Sequence, residues 1–185
     1  MIESEALRRN TQFELSAKKP ELTTVTRSMW SSLQEGILKI EDESFPSALA
    51  DSERDLFELV NSATGIFLAL TFPSPCRVIG YIAADLLENF PDIPGTTSDP
   101  HFEKRDTIYV ASVAILPDWR RRGLGTGLMQ ECLRVASERG VKRATAHIES
   151  GSVARMGLPM KVLKSFRDWY GTGCTFDYVE ILVGV

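Results

Sequence analysis

The spacing of apolar positions changes along the chain, and each change predicts an element. Residues 29–41 place Trp30, Leu33, Ile37, Leu38 and Ile40 at roughly helical intervals, which predicts an amphipathic helix. An earlier strand fits either 11–16 or 23–27. Phe45-Pro46 breaks the pattern, and Ser52 is a candidate N-cap for a second helix to Asn61 with Leu56, Leu59 and Val60 inward. The period then shortens. Residues 65–72 and 77–86 are apolar runs joined by Pro73-Ser74-Pro75, which predicts a hairpin. An irregular stretch, 88–106, holds three prolines and Gly95. Loops this long in compact domains are usually functional or disordered. Residues 107–115 read as a strand buried on both faces, stopped at Pro117. A helix follows, opening in the run Arg120 to Gly127 and continuing to Arg139. Leu124, Leu128, Cys132 and Val135 make its apolar face, and Gly140 and Val141 form a C-terminal cap. Residues 141–148 are the next strand, so strand, helix and strand form a βαβ unit. Residues 159–170 predict a late helix, and 176–185 a closing strand. The fold class is therefore α/β, with helices on a mixed sheet.

Composition narrows the classes. The chain has 185 residues, which predicts a single domain over 1–185 with a charged, solvated tail at 1–10. The net charge of -4 argues against nucleic acid and suits a cationic partner. Cys76, Cys132 and Cys174 are scattered, and with only two histidines no metal-ligand spacing exists, so no metal is expected. The N-terminus lacks the apolar core of a signal peptide, and no stretch reaches membrane-spanning length without charges. The expectation is a cytoplasmic protein with no membrane partner, and monomer and homodimer both stay open.

The chemistry centres on the βαβ turn. Gly123 and Gly125 lie between a strand end and a helix start, where free backbone N–H groups and the helix dipole attract an anion. Without a Cβ the backbone there can approach a phosphate closely. Arg120, Arg121 and Arg122 add positive charge. The third glycine of a dinucleotide fingerprint is replaced by Leu128, and the Gly-Lys-Ser/Thr ending of a P-loop is absent.

What remains is Arg-x-x-Gly-x-Gly after a strand and a proline. The stretch from Val113 to Gly125 resembles, in order, the strand, turn and pyrophosphate loop of the GNAT superfamily of acetyl-coenzyme A-dependent N-acetyltransferases. The likeness covers about 23–150. It implies a mixed sheet flanked by helices, with acetyl-coenzyme A as co-substrate and an amine as acceptor. It further implies that the backbone of Val113, Ala114 and Ile115 holds the pantetheine arm, and that Arg120, Arg121, Arg122, Gly123, Leu124, Gly125 and Thr126 hold the pyrophosphate. The family often has an Asn after the βαβ unit and then a Tyr and a Gly-Phe pair. Here Ser152 stands in the Asn place, and Gly171-Thr172-Gly173-Cys174 replaces the Gly-Phe pair.

Direct attack of an amine on the thioester needs a base for the ammonium and an acid for the departing thiolate. Tyr170, at the end of the late helix, takes the place of the family's acid. Tyr109, on the central strand where relatives often put Glu or His, is the second candidate. Glu41, Glu43, His147 and Glu149 are candidates for binding the amine or acting as base, and His101 in the long loop is a further substrate-side contact. Each of these side chains also has a plain packing or solvation role open to it. A non-catalytic acyl-coenzyme A sensor on the same fold, and transfer of a longer acyl group, are the alternatives to acetylation.

Overall fold

The computed structural model describes residues 19–73, 76–152 and 156–183. Among these, seven strands form one mixed sheet: β1 (Glu21–Thr24), β2 (Ile66–Pro73), β3 (Cys76–Leu86), β4 (Thr107–Ile115), β5 (Arg143–Glu149), β6 (Met160–Phe166) and β7 (Phe176–Leu182). The spatial order is β1-β2-β3-β4-β5-β7-β6. Every pairing is antiparallel except β4 with β5. A parallel pair needs a crossover, and α3 (Leu124–Glu138) supplies it. The other helices are α1 (Arg27–Ser44) and α2 (Glu53–Asn61).

Most predicted elements are present with small shifts at their ends. Helix α1 runs further than its apolar stripe, and Trp30, Leu33, Ile37 and Ile40 are its buried apolar residues. Ser52 caps α2 as expected, in a reciprocal capping box with Asp55. Gly140 adopts φ +80, and Val141 is buried behind it with its N–H on the Ala136 carbonyl. Cys132 is fully buried in the core, and burial pushes its thiol up to about 12. The candidate strand at 11–16 lies outside the described residues. Its alternative is realised in part as β1, while Arg27 already belongs to α1.

The late helix is a correction. Residues 159–170 form strand β6 and then a short turn of 3₁₀ helix, Trp169–Gly171. Met160, Leu163, Phe166 and Trp169 recur every third residue and so imitate a helical stripe. β6 is an edge strand, exposed over most of its length, so no two-residue alternation marked it. The free edge of β7 decides the matter, because it offers β6 a ladder from Met160 to Phe166. Lys161 and Lys164 on this edge discourage further pairing.

The 88–106 stretch is folded back on itself and pinned. Thr96 Oγ1 donates to the carbonyls of Phe90 and Ile93. Arg143 on β5 is only 4% exposed; it donates to Asp99 at 2.8 and 3.2 Å and to Glu180 at 2.6 Å. The Tyr178 hydroxyl completes the Asp99 site at 2.9 Å. A buried charge held by several donors fixes the loop in register with the sheet.

Candidate active site

The sheet opens beside the βαβ turn. β4 pairs with β5 only from Thr107 to Val110, and the β4–β3 register slips opposite Ala111. Past the slip, Leu116 N–H donates to the Ile79 carbonyl on β3. Alternation along the strand therefore turns the N–H groups of Val113 and Ile115 the other way, toward the side where β4 has no strand partner. Ala114 faces β3 instead, in register with Tyr81. This half of β4 is an open edge inside the molecule, able to take an extended chain as an added strand.

Helix α3 begins at the end of that edge. Gly123 is its N-cap in the left-handed region, φ +76, which only glycine adopts without strain. A Cβ built on Gly123 or Gly127 meets nothing within 4 Å, and one on Gly125 meets only Ile115 Cγ1 at 3.8 Å. The first-turn N–H groups, through Leu124, Gly125 and Thr126, thus border open space. The three arginines are not equivalent. Arg120 braces the turn, donating to the Ile115 carbonyl at 2.8 Å and to Ser44 Oγ at 3.0 Å. Arg122 lies over the Trp119 ring and donates to the Asp118 carbonyl. Arg121, at φ +60, is exposed and has no side-chain partner among the described residues. Thr126 Oγ1 ties the helix start to the Met156 carbonyl at 3.1 Å.

A cleft of about 690 Å³ lies beside this opening, with Ala111 and Ser112 of β4 in its wall. The segment between α1 and α2, helix α2, the 89–93 turn, β4, β5 and the 169–170 turn all contribute walls. Asp51, Asp55, Glu58, Asp85 and Asp92 line it, with no lysine or arginine among the lining residues. Most of these carboxylates are occupied: Asp55 in the α2 cap, Glu58 with Arg54, and Asp85 by Thr64 Oγ1 and its neighbour's N–H. Asp51 accepts from Ser112 Oγ on β4 at 2.7 Å. Burial pushes the Asp51 carboxyl above its ordinary value, the Ser112 bond pulls it partly back, and nearby Asp55 raises it further.

Three of the sequence candidates meet in this cleft. Tyr109 is 5% exposed, and its hydroxyl lies 3.0 Å from His147 Nδ1. The His147 ring stacks on Trp169 and Tyr178 at 4.2 and 4.8 Å. Burial lowers His147 to about 4, with the Pro94 carbonyl acting the other way, so the imidazole is neutral at pH 7. Burial also holds the Tyr109 phenol well above its usual range, with Tyr170, Tyr178 and Asp51 adding to the effect. Tyr170 sits at the rim, 49% exposed, on a turn residue with φ 48. Burial and then Asp92 raise its phenol.

The remaining candidates are elsewhere. Glu41 is 2% exposed and lies behind the wall; its Oε2 accepts the Asp51 N–H at 2.9 Å, while Oε1 has no partner among the described residues. Burial pushes its carboxyl up to about 8, against the pull of that N–H. Glu43 is exposed and pairs with Lys39 along α1. Glu149 is exposed at the end of β5 and does not line the cleft. His101 pairs with Asp106 at 3.1 Å, also away from it. Asp51 and Ser112 are the residues that sequence reading missed. The one available signal was an acidic residue immediately before the Ser52 cap, and nothing in the sequence places that loop against β4.

A family model for the acetyltransferase (GNAT) family matches residues 31–161. The chain belongs to this family. Among solved structures, GNAT relatives share the fold at low identity. The ribosomal-protein-S18-alanine N-acetyltransferase of Escherichia coli aligns with a TM-score of 0.65 at 14% identity, over 90% of this chain and 95% of that one. Arabidopsis thaliana NAA60 in complex with acetyl-CoA aligns at 0.66 and 14%, over 90% and 99%. Salmonella typhimurium yncA, with its cofactor acetyl-CoA, aligns at 0.65 and 15%, over 91% and 96%. A search of curated proteins gives no significant match in sequence. In this chain the β4 edge past Val110 is unpaired on the β5 side, and the glycines at the start of α3 border open space. Among the described residues no group of three or more His, Cys, Asp or Glu side chains is gathered as metal ligands would be, and no helix is long and apolar enough to cross a membrane.

Proposed function

We propose that this protein is an N-acetyltransferase that moves an acetyl group from acetyl-CoA to a primary amine bound in the acidic cleft. The observation that carries the reading is the junction of two features. The open edge of β4 leads to the α3 N-terminus on one side and to a cleft with five carboxylates and no cationic lining residue on the other. Such a cleft favours a protonated amine and disfavours an acidic acceptor. Acetyl-CoA, when bound, supplies an activated carbonyl and a thiolate leaving group.

In this reading the N–H groups of Val113 and Ile115 orient the donor, and one of them polarises the thioester oxygen. The backbone from Arg121 to Thr126 holds the pyrophosphate, while Arg120 keeps the turn in shape. Tyr170 is the favoured acid for the leaving thiolate, with Tyr109 as the alternative. The raised pKa of each phenol keeps it protonated at neutral pH, as a donor must be. His147 orients the Tyr109 hydroxyl as a neutral ring.

Release of free thiol from acetyl-CoA, followed across a panel of polyamines, arylalkylamines, aminoglycosides and N-terminal peptides, tests the reading. We expect thiol release with at least one cationic amine and a matching mass gain of one acetyl group on it. Tight binding of acetyl-CoA with no turnover on any amine would instead favour a non-catalytic sensor.

A further inference from the structure

Among the cleft carboxylates, Asp51 is set apart by its two oxygens. Oδ2 is fixed by Ser112 Oγ at 2.7 Å, whereas Oδ1 has no hydrogen bond among the described residues and is not sealed from solvent, so it opens to the cleft that Asp51 lines. The backbone N–H of Asp51 is held by Glu41 at 2.9 Å. One carboxylate from α1 and one hydroxyl from β4 thus clamp a loop residue from both ends. Ser112 lies in the unpaired half of β4, next to Val113, where the thioester carbonyl lies in the proposed function.

We infer that Asp51 is the general base of the acetyl transfer, with Ser112 as its positioning residue. This rests on the amine N-acetyltransferase reading above and adds a proton acceptor, a role that the protonated tyrosines do not fill and for which His147 has its Nδ1 engaged by Tyr109. Asp51 Oδ1 takes a proton from the bound ammonium, directly or through one water. The freed nitrogen lone pair attacks the thioester carbon, the C–N bond forms and the C–S bond breaks. The electron pair leaves on sulfur, which is protonated by the acid. The second proton of the attacking nitrogen is lost to water. The balance is one ammonium and one thioester in, one amide, one thiol and one proton out.

The surroundings make Asp51 a stronger base than an ordinary carboxylate. Glu41 faces Asp51 from α1, Asp55 from α2, and Ser112 and Tyr109 from β4, with no cation among the lining residues to hold the carboxylate ionised. The raised pKa of Asp51 follows from the same burial.

The test is the pH profile of kcat/KM for wild type, Asp51→Asn and Ser112→Ala, with acetyl-CoA affinity measured in parallel. Asn keeps an oxygen that can accept from Ser112. We expect Asp51→Asn to lose about a hundredfold at pH 7, to keep acetyl-CoA affinity, and to gain rate steadily with pH as free amine accumulates. Ser112→Ala removes a bond that lowers the Asp51 pKa, so the acid limb of its profile should move to higher pH. Turnover of Asp51→Asn within threefold of wild type, or an acid limb unmoved in Ser112→Ala, overturns the assignment while leaving the acetyltransferase reading intact. Should Asp51→Asn fail to fold, the Ser112→Ala limb alone decides. Wild type inactive on every amine overturns both.

Discussion

The donor side and the acceptor side of this molecule are built in different ways. In the proposed function the donor-side groups are backbone N–H groups of β4 and of the first turn of α3, held within one continuous segment from Thr107 to Glu138. On the acceptor side they are side chains, brought from the α1–α2 loop, the 89–93 turn, β4, β5 and the turn after β6. The first arrangement depends on glycine and on strand geometry; the second depends on long-range packing. A backbone site tolerates wide change in side chains, and an acceptor site assembled from loops can be varied without disturbing it.

Removing the pin beneath the acceptor side should separate the two regions most sharply. Arg143→Met leaves Asp99 buried without its ion pair, and we expect a loss of about 3–5 kcal/mol in stability by chemical denaturation. The folded fraction should still bind acetyl-CoA normally, because Arg143 reaches the donor segment only at Thr107, at the far end of β4 from its unpaired half. A variant as stable as wild type would show that the 88–106 loop is held by its other contacts.

Glu41 gives the next effect, and its sign depends on pH. Its folded pKa of about 8 exceeds the ordinary 4.5, so the native state holds this proton more tightly than the unfolded chain. Stability from this group is full below about pH 4.5 and declines as pH rises through about 8. Glu41→Gln cannot lose the proton. It should match wild type near pH 5 and exceed it near pH 9 by on the order of a few kcal/mol. Equal melting profiles at both pH values would mean that Glu41 ionises freely where it stands.

The smallest of the three effects concerns the acid. Tyr170→Phe and Tyr109→Phe each remove one hydroxyl. The true donor should lose roughly ten- to several-hundredfold in turnover, since water replaces part of its role. Acetyl-CoA affinity should barely move in either. If the double variant turns over like wild type, the thiolate is protonated without a tyrosine.

The same contrast explains what the sequence made legible. The βαβ unit could be read almost residue by residue, because strand period, Pro117, the glycine spacing and the Gly140 cap are all local signals. The expectation of an anion site followed from them. The acceptor cleft was only half legible. Tyr109, His147 and Tyr170 were visible as candidates, but their meeting was not, because β5 and β7 must pair before His147 can stack on Tyr178. Tyr170 reached the cleft on a turn rather than on the expected helix, since a ladder with β7 outweighed the helix-like spacing of 159–170. Asp51 and Ser112 are 61 positions apart and carry no shared pattern, so only the folded chain joins them.

In the proposed function the glycine-lined start of α3 holds the pyrophosphate of acetyl-CoA. Gly125→Val tests it most directly. Its Cβ has only Ile115 Cγ1 nearby, at 3.8 Å, so the fold has room for the change. A β-branched side chain placed against the phosphates does not. Calorimetric titration of acetyl-CoA into wild type and Gly125→Val should show saturable binding in the first and at least a hundredfold weaker binding in the second, on the order of 3 kcal/mol, with unchanged circular dichroism. Wild-type affinity in a folded Gly125→Val variant would contradict the account.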